Sequence, residues 1–182
     1  MRPGLALAIV VSCALVLFAV ENSKPKIVHQ GSFTVVGIEM RTSNAKEASD
    51  GAIGKQWEKF FQQGIQDKIP NQVGGNLYAV YSDYASDRNG EYSITIGAKV
   101  SNGSIAPAGF SLKTIPSGNY AVVTSEAGPV AKVVQAAWRR VWDLEDKHEL
   151  GGKRAYRVDF EVYDQRATDP QNSQVDLFIG LK

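Results

Sequence analysis

Asp159-Phe160-Glu161-Val162-Tyr163 decides how this chain is read. Aromatic and β-branched residues alternate with polar ones, which is the pattern of a strand with two unlike faces. Phe160 and Val162 share one face, while Asp159, Glu161 and Tyr163 share the other. A carboxylate two residues from a same-face tyrosine is either part of a solvated outer face, with Arg157 paired across it, or a polar handle in a pocket.

The same stretch has a twin. Tyr78-Ala79-Val80-Tyr81 matches Phe160-Glu161-Val162-Tyr163 at a displacement of 82 residues. Ile53, Trp57, Phe60 and Phe61 match Val134, Trp138, Val141 and Trp142 at 81, and Ile96-Gly97-Ala98-Lys99 matches Ile179-Gly180-Leu181-Lys182 at 83. A looser pair, Val35-Val36-Gly37-Ile38-Glu39 and Val122-Val123-Thr124-Ser125-Glu126, precedes them and requires a longer insertion in the first copy. Ordered blocks at a near-constant displacement indicate a duplicated unit.

Each copy reads strand, helix, strand, strand. Residues 33–41 form the first strand, and 44–50 read as a polar loop in which Ser49 or Asp50 can cap a helix. Ile53, Trp57, Phe60, Phe61, Ile65 and Ile69 then recur at helical spacing until Pro70. Residues 77–84 and 91–100 form a hairpin around Asn89-Gly90. In the second copy Pro116-Ser117-Gly118 reads as a turn between two strands, and Gly128-Pro129 opens a helix carrying Val134, Trp138, Val141 and Trp142. A closing hairpin spans residues 154–182. The expected fold is α+β: duplicated strand-helix-strand-strand units with pseudo-twofold symmetry, antiparallel sheets and two helices on one side. The helices are expected on the Phe160 face, with a cleft between the repeats on the other.

The organisation expected along the chain is a signal peptide or N-terminal membrane anchor over 1–22, a linker over 23–32, and one domain over 33–182, with repeats at 33–100 and 110–182. Residues 5–20 carry no charge and follow Arg2, as in an export leader. They are short of the ~20 residues of a spanning helix. The chain is therefore expected outside the cytoplasm, periplasmic or held at the membrane by that segment. Cys13, the one cysteine among 182 residues, lies in the leader and loosely fits a lipidation site, so the body has no disulfide. A formal net charge of +1 with no basic patch gives no reason to expect nucleic acid as a partner. No metal signature, phosphate loop or nucleophile motif is present, and His29 and His148 read as surface residues. No cofactor, metal or catalytic residue is assigned, and no protein partner is indicated.

What remains is acidic and aromatic. Tyr81 and Tyr163 hold equivalent positions, but Glu161 faces Ala79 in the twin. One half carries a carboxylate where the other carries a methyl group. An acid beside tyrosines suits a cationic or polarised ligand, attracted by ring faces and by charge. The candidate ligand-binding residues are Glu161, Tyr163, Tyr81, Tyr92 and Trp138. Tyr92 enters from the neighbouring strand and Trp138 from its helix, whereas the default role of Trp57, Trp138 and Trp142 is core packing.

Val36-Gly37-Ile38-Glu39, Trp57-Glu58-Lys59-Phe60, the segment Tyr78 through Tyr84, and the closing Phe160-Glu161-Val162-Tyr163 with Ile179-Gly180-Leu181-Lys182 together resemble the GyrI-like, or AraC-type effector-binding, small-molecule-binding domain. The resemblance covers residues 26–182. It implies a duplicated fold with a cleft between repeats, and it aligns Glu161 with a glutamate that in many members meets cationic, often aromatic, ligands at the pocket floor. Some members are hydrolases of strained electrophilic natural products, using a glutamate and aromatic residues to place water. Many members follow a DNA-binding helix-turn-helix domain, and here a leader stands in its place. The expectation is a non-catalytic binder of a small amphipathic, cationic aromatic molecule outside the cytoplasm. The alternatives are a hydrolase using Glu161, tested by turnover of a cyclopropane or epoxide probe, and an envelope protein-interaction module using the sheet face.

Overall fold

The structure, a computed structural model, describes residues 24–182. The leader over 1–22, with Cys13, lies outside the described residues. Eight strands and three α-helices follow in the order β1 (Lys26–Gln30), β2 (Phe33–Ser43), α1 (Asn44–Asp50), α2 (Ala52–Gln62), β3 (Gln72–Ser82), β4 (Glu91–Val100), β5 (Ser111–Ile115), β6 (Gly118–Thr124), α3 (Val130–Asp146), β7 (Val158–Tyr163) and β8 (Asp176–Gly180). All eight strands join one antiparallel sheet in the order β1-β6-β8-β7-β3-β4-β2-β5. The order reads symmetrically outward from the β7–β3 pair, which is the expected α+β duplication with its pseudo-twofold axis.

That axis passes through the residues that broke the sequence symmetry. Ala79 and Glu161 are direct cross-strand partners, flanked by Leu77 opposite Tyr163 and Tyr81 opposite Asp159. The sequence twins are thus neighbours in space at the centre of the sheet.

Several expectations change. Residues 26–30, read as part of a linker, form β1 on the edge beside β6. The segment 44–50, read as a loop, is the helix α1. Its N-cap is Ser43, whose hydroxyl accepts from the Lys46 N–H, and its last residues merge through Gly51 into α2. β5, assigned to the second repeat, pairs with β2 of the first, just as β1 pairs with β6 of the second. Each repeat therefore lends its leading strand to the other's edge, and Pro116-Ser117 crosses between the two outer zones of the sheet instead of closing a hairpin. The V-V-x-x-E match does not survive the strand registers. If Ile96 is equated with Ile179, their ladder partners Ile38 and Ala121 become equivalents, and Ser125, which that pattern equates with Ile38, lies beyond β6.

The helices cover the Glu161 face, not the Phe160 face. Phe60 of α2 packs with Ile38, Ala79, Tyr81 and Ile94, and Ala137 and Val141 of α3 pack with Leu177 and Ile179. The Phe160 face is buried by the sheet's own curl. β2 and β7 are three strands apart, about 14 Å in a flat sheet, yet the Phe33 and Phe160 rings lie 5.5 Å apart and Tyr120 reaches Phe160 at 5.3 Å. Gly37 and Gly97 face each other across β2 and β4. A methyl group on either would overlap the backbone carbonyl of its neighbour across the ladder, so only glycine permits this close approach.

Candidate functional site

With the helices on the Glu161 face, the cleft sits between helices and sheet. A cavity of about 670 Å³ opens there, within the usual range for small-molecule sites. β3, β4 and β7 make its floor with Tyr81, Tyr92, Glu161 and Tyr163, α2 makes one wall with Trp57 and Phe61, and α3 makes the other with Trp138 and Trp142. Glu47 and Asn44 of α1 and Arg88 of the β3–β4 loop also line it.

Glu161 is 1 % exposed. Its Oε1 accepts from the Tyr81 hydroxyl at 2.8 Å and from Trp138 Nε1 at 2.6 Å, and its Oε2 accepts from the Tyr163 hydroxyl at 2.7 Å. These donors are neutral, and among the described residues no cation forms an ion pair with this carboxylate. Arg157, the partner in the solvated reading, is exposed. A buried carboxylate without a counter-charge is costly, and three hydrogen bonds offset only part of that cost.

Burial pushes the Glu161 carboxyl above the usual carboxylate range, although Trp138, Tyr163 and Tyr81 pull it back. Burial, reinforced by the Glu161 charge, also pushes Tyr81 and Tyr163 well above the ordinary phenol value, so they stay neutral donors at neutral pH. Because the folded state binds the Glu161 proton more tightly than the unfolded chain, its stabilising contribution is complete below the unfolded value of about 4.3. It is lost as pH rises through the folded value. Glu161→Gln removes that dependence. In thermal denaturation without ligand, the stability of the wild type minus that of Glu161→Gln is expected to fall as pH rises from about 4 to about 8. A flat or rising difference contradicts the assignment.

Beside this site lies a second buried cluster. Arg154, 4 % exposed, donates through Nη2 to Asp159 at 2.7 Å and through Nη1 to Glu145 at 3.3 Å, and Asp159 is fully buried. Asp159 Oδ2 also accepts from the Tyr84 hydroxyl at 2.7 Å, and Oδ1 accepts from the Gly180 N–H at 2.8 Å. Burial opposes the Arg154 charge, but Asp159 and Tyr84 outweigh it and raise its pKa. The guanidinium lies 4.3 Å from the Tyr156 ring centroid and 5.6 Å from that of Trp138, so it braces the tryptophan that binds Glu161.

All five sequence-derived candidates, Glu161, Tyr163, Tyr81, Tyr92 and Trp138, line the one cavity. Tyr92 reaches Asn44 Oδ1 rather than Glu161. Sequence reasoning left Trp57 in the core, where its displacement of 81 from Trp138 was the signal for a wall position. It missed Phe61, Tyr84 and Arg154, and for Arg154 the buried Asp159 on the Glu161 face was the only clue.

Comparison with known proteins gives a consistent picture. A family model described as an integron-associated effector binding protein, Cass2, matches residues 26–181. YobU of Bacillus subtilis (strain 168), whose name assigns it provisionally to transcriptional regulators, is 30 % identical over 158 residues, covering 86 % of this chain and 96 % of its own. The integron cassette protein VCH_CASS2 of Vibrio cholerae superposes with a TM-score of 0.67 at 26 % identity, over 87 % of this chain and 96 % of its own. SAV2435, whose structure was determined bound to tetraphenylphosphonium, superposes with a TM-score of 0.69 at 21 % identity, over 88 % and 94 % of the two chains.

Proposed function

This chain belongs to the family of integron-associated effector-binding proteins, and on that premise we propose that it binds a small amphipathic, cationic aromatic molecule in the cavity over Glu161, without catalysis. The observation that carries the reading is the buried carboxylate itself. Glu161 sits on an aromatic floor with three neutral donors and, among the described residues, no ion-pair partner, so a ligand cation supplies the missing counter-charge. The surrounding rings add cation–π attraction. Tyrosines that donate to a carboxylate also have more electron-rich rings, which favours the same class of ligand.

SAV2435 binds tetraphenylphosphonium, a lipophilic aromatic cation of the class that this cavity suits. The hydrolase alternative has no observation of its own, since both Glu161 oxygens already accept from side chains. An interaction module would use an open face, whereas here the polar handle lies inside a cavity.

Titration calorimetry with tetraphenylphosphonium tests the reading. Saturable binding at one site per chain is the expected result, and no heat of binding up to solubility contradicts it.

The uncharged segment 5–20 supports a location outside the cytoplasm, released or tethered, which would let the site meet such cations before they enter the cell. Fusion of the full chain to a reporter active only outside the cytoplasm is expected to give signal. Signal confined to the cytoplasm contradicts that location.

A further inference from the structure

The cavity wall repeats across the pseudo-twofold axis. Tyr81 and Trp138 pack with ring centroids 4.9 Å apart at 66°, and Tyr163 and Trp57 pack 4.8 Å apart at 63°. Tyr81 and Tyr163 are sequence twins displaced by 82, and Trp57 and Trp138 are twins displaced by 81. The same two-ring corner is therefore built twice, once on each side of the cavity. Glu161 stands between the two, on the axis, receiving Tyr81 on one carboxylate oxygen and Tyr163 on the other. Its cross-strand partner Ala79 contributes only a methyl group, so the axis carries a single carboxylate.

We propose that the ligand is a two-armed cation, with its charge central over Glu161 and an aromatic arm in each Tyr–Trp corner. This proposal rests on the cation-binding reading and narrows it. In a tilted pair, one ring offers a face and the other an edge, and a third ring packs against both in the favoured edge-to-face geometry. A single-armed cation fills one corner and leaves the other wet. The corners are not identical. The Trp138 N–H is committed to Glu161, whereas Trp57 carries Phe61 stacked on it at 5.6 Å and 19°, and Phe61 is 62 % exposed. The Trp138 corner is the fixed one, and the Trp57 corner opens to the surface and admits the second arm.

Two permanently charged probes separate the possibilities. Dibenzyldimethylammonium carries two rings on one nitrogen, and benzylheptyldimethylammonium carries one ring and the same number of carbons. By calorimetry the two-ring probe is expected to bind about tenfold more tightly, the increment of one added aromatic contact. In Trp57→Leu that preference is expected to shrink to about twofold or less. Equal binding of the two probes to the wild type overturns the two-armed proposal and leaves cation binding standing. A full preference persisting in Trp57→Leu overturns it as well. Binding of neither probe overturns both this proposal and the cation reading beneath it.

Discussion

Glu161→Gln is expected to weaken binding of tetraphenylphosphonium by about 1–3 kcal/mol, or roughly 5- to 150-fold. The size follows from removing a buried charge from direct attraction with a ligand charge. The variant isolates that charge because glutamine preserves most of the local hydrogen bonding. Its carbonyl oxygen still accepts from Tyr81 and Trp138, and its amide donates to the Tyr163 hydroxyl, which rotates to accept. The ligand-free fold is therefore expected to be retained, and at neutral pH the variant sheds the cost of burying a carboxylate. Calorimetry on both proteins, with far-ultraviolet circular dichroism to verify the fold, checks the outcome. Equal affinities would place the ligand away from Glu161.

Arg154→Met has the largest expected effect on stability. Methionine approximates the aliphatic stem but leaves Asp159, which is fully buried, without its cation. Breaking a buried pair by removing one partner costs about 3–5 kcal/mol. For a domain of this size that corresponds to a fall in Tm of roughly 10 °C. The added change Asp159→Asn removes the stranded charge, and asparagine still offers an acceptor to the Gly180 N–H. The double variant is expected to recover most of the loss. A single variant as stable as the wild type would show that the pair contributes little, as surface pairs often do. Arg154 also braces Trp138, so the single variant is expected to lose ligand affinity along with stability.

The duplication was legible because helix and strand each preserve their period. Trp57 and Trp138, and Tyr81 and Tyr163, keep their spacing from one copy to the other, and the structure seats them in matching corners. Glu161 opposite Ala79 was legible as an asymmetry, and its place on the symmetry axis gives that asymmetry a spatial meaning. The side on which the helices lie was not legible. Alternation in Asp159 to Tyr163 distinguishes two faces but does not say what covers each. The apolar face is buried by curling of the sheet, a long-range effect that brings Phe33 onto Phe160. The polar face is buried under the helices, where its tyrosines and carboxylate hydrogen-bond one another. β1 was not legible because Lys26-Ile27-Val28-His29-Gln30 is a short, largely exposed edge, whose partner lies in the other repeat. Arg154 was missed for a similar reason: its partners Asp159 and Glu145 come from two different elements, and only folding brings them together.

The central claim is that Glu161 makes this cavity select for positive charge. All three tryptophans of the chain line the cavity, so their fluorescence reports directly on its occupancy. Dibenzyldimethylammonium and its neutral carbon counterpart, 2,2-dimethyl-1,3-diphenylpropane, share shape and rings and differ in the charge at the centre. Titrated against wild-type protein, the cation is expected to bind at least about tenfold more tightly than the neutral compound, as attraction to a buried carboxylate requires. Equal binding of the two, or tighter binding of the neutral compound, would contradict the claim and leave a merely apolar pocket.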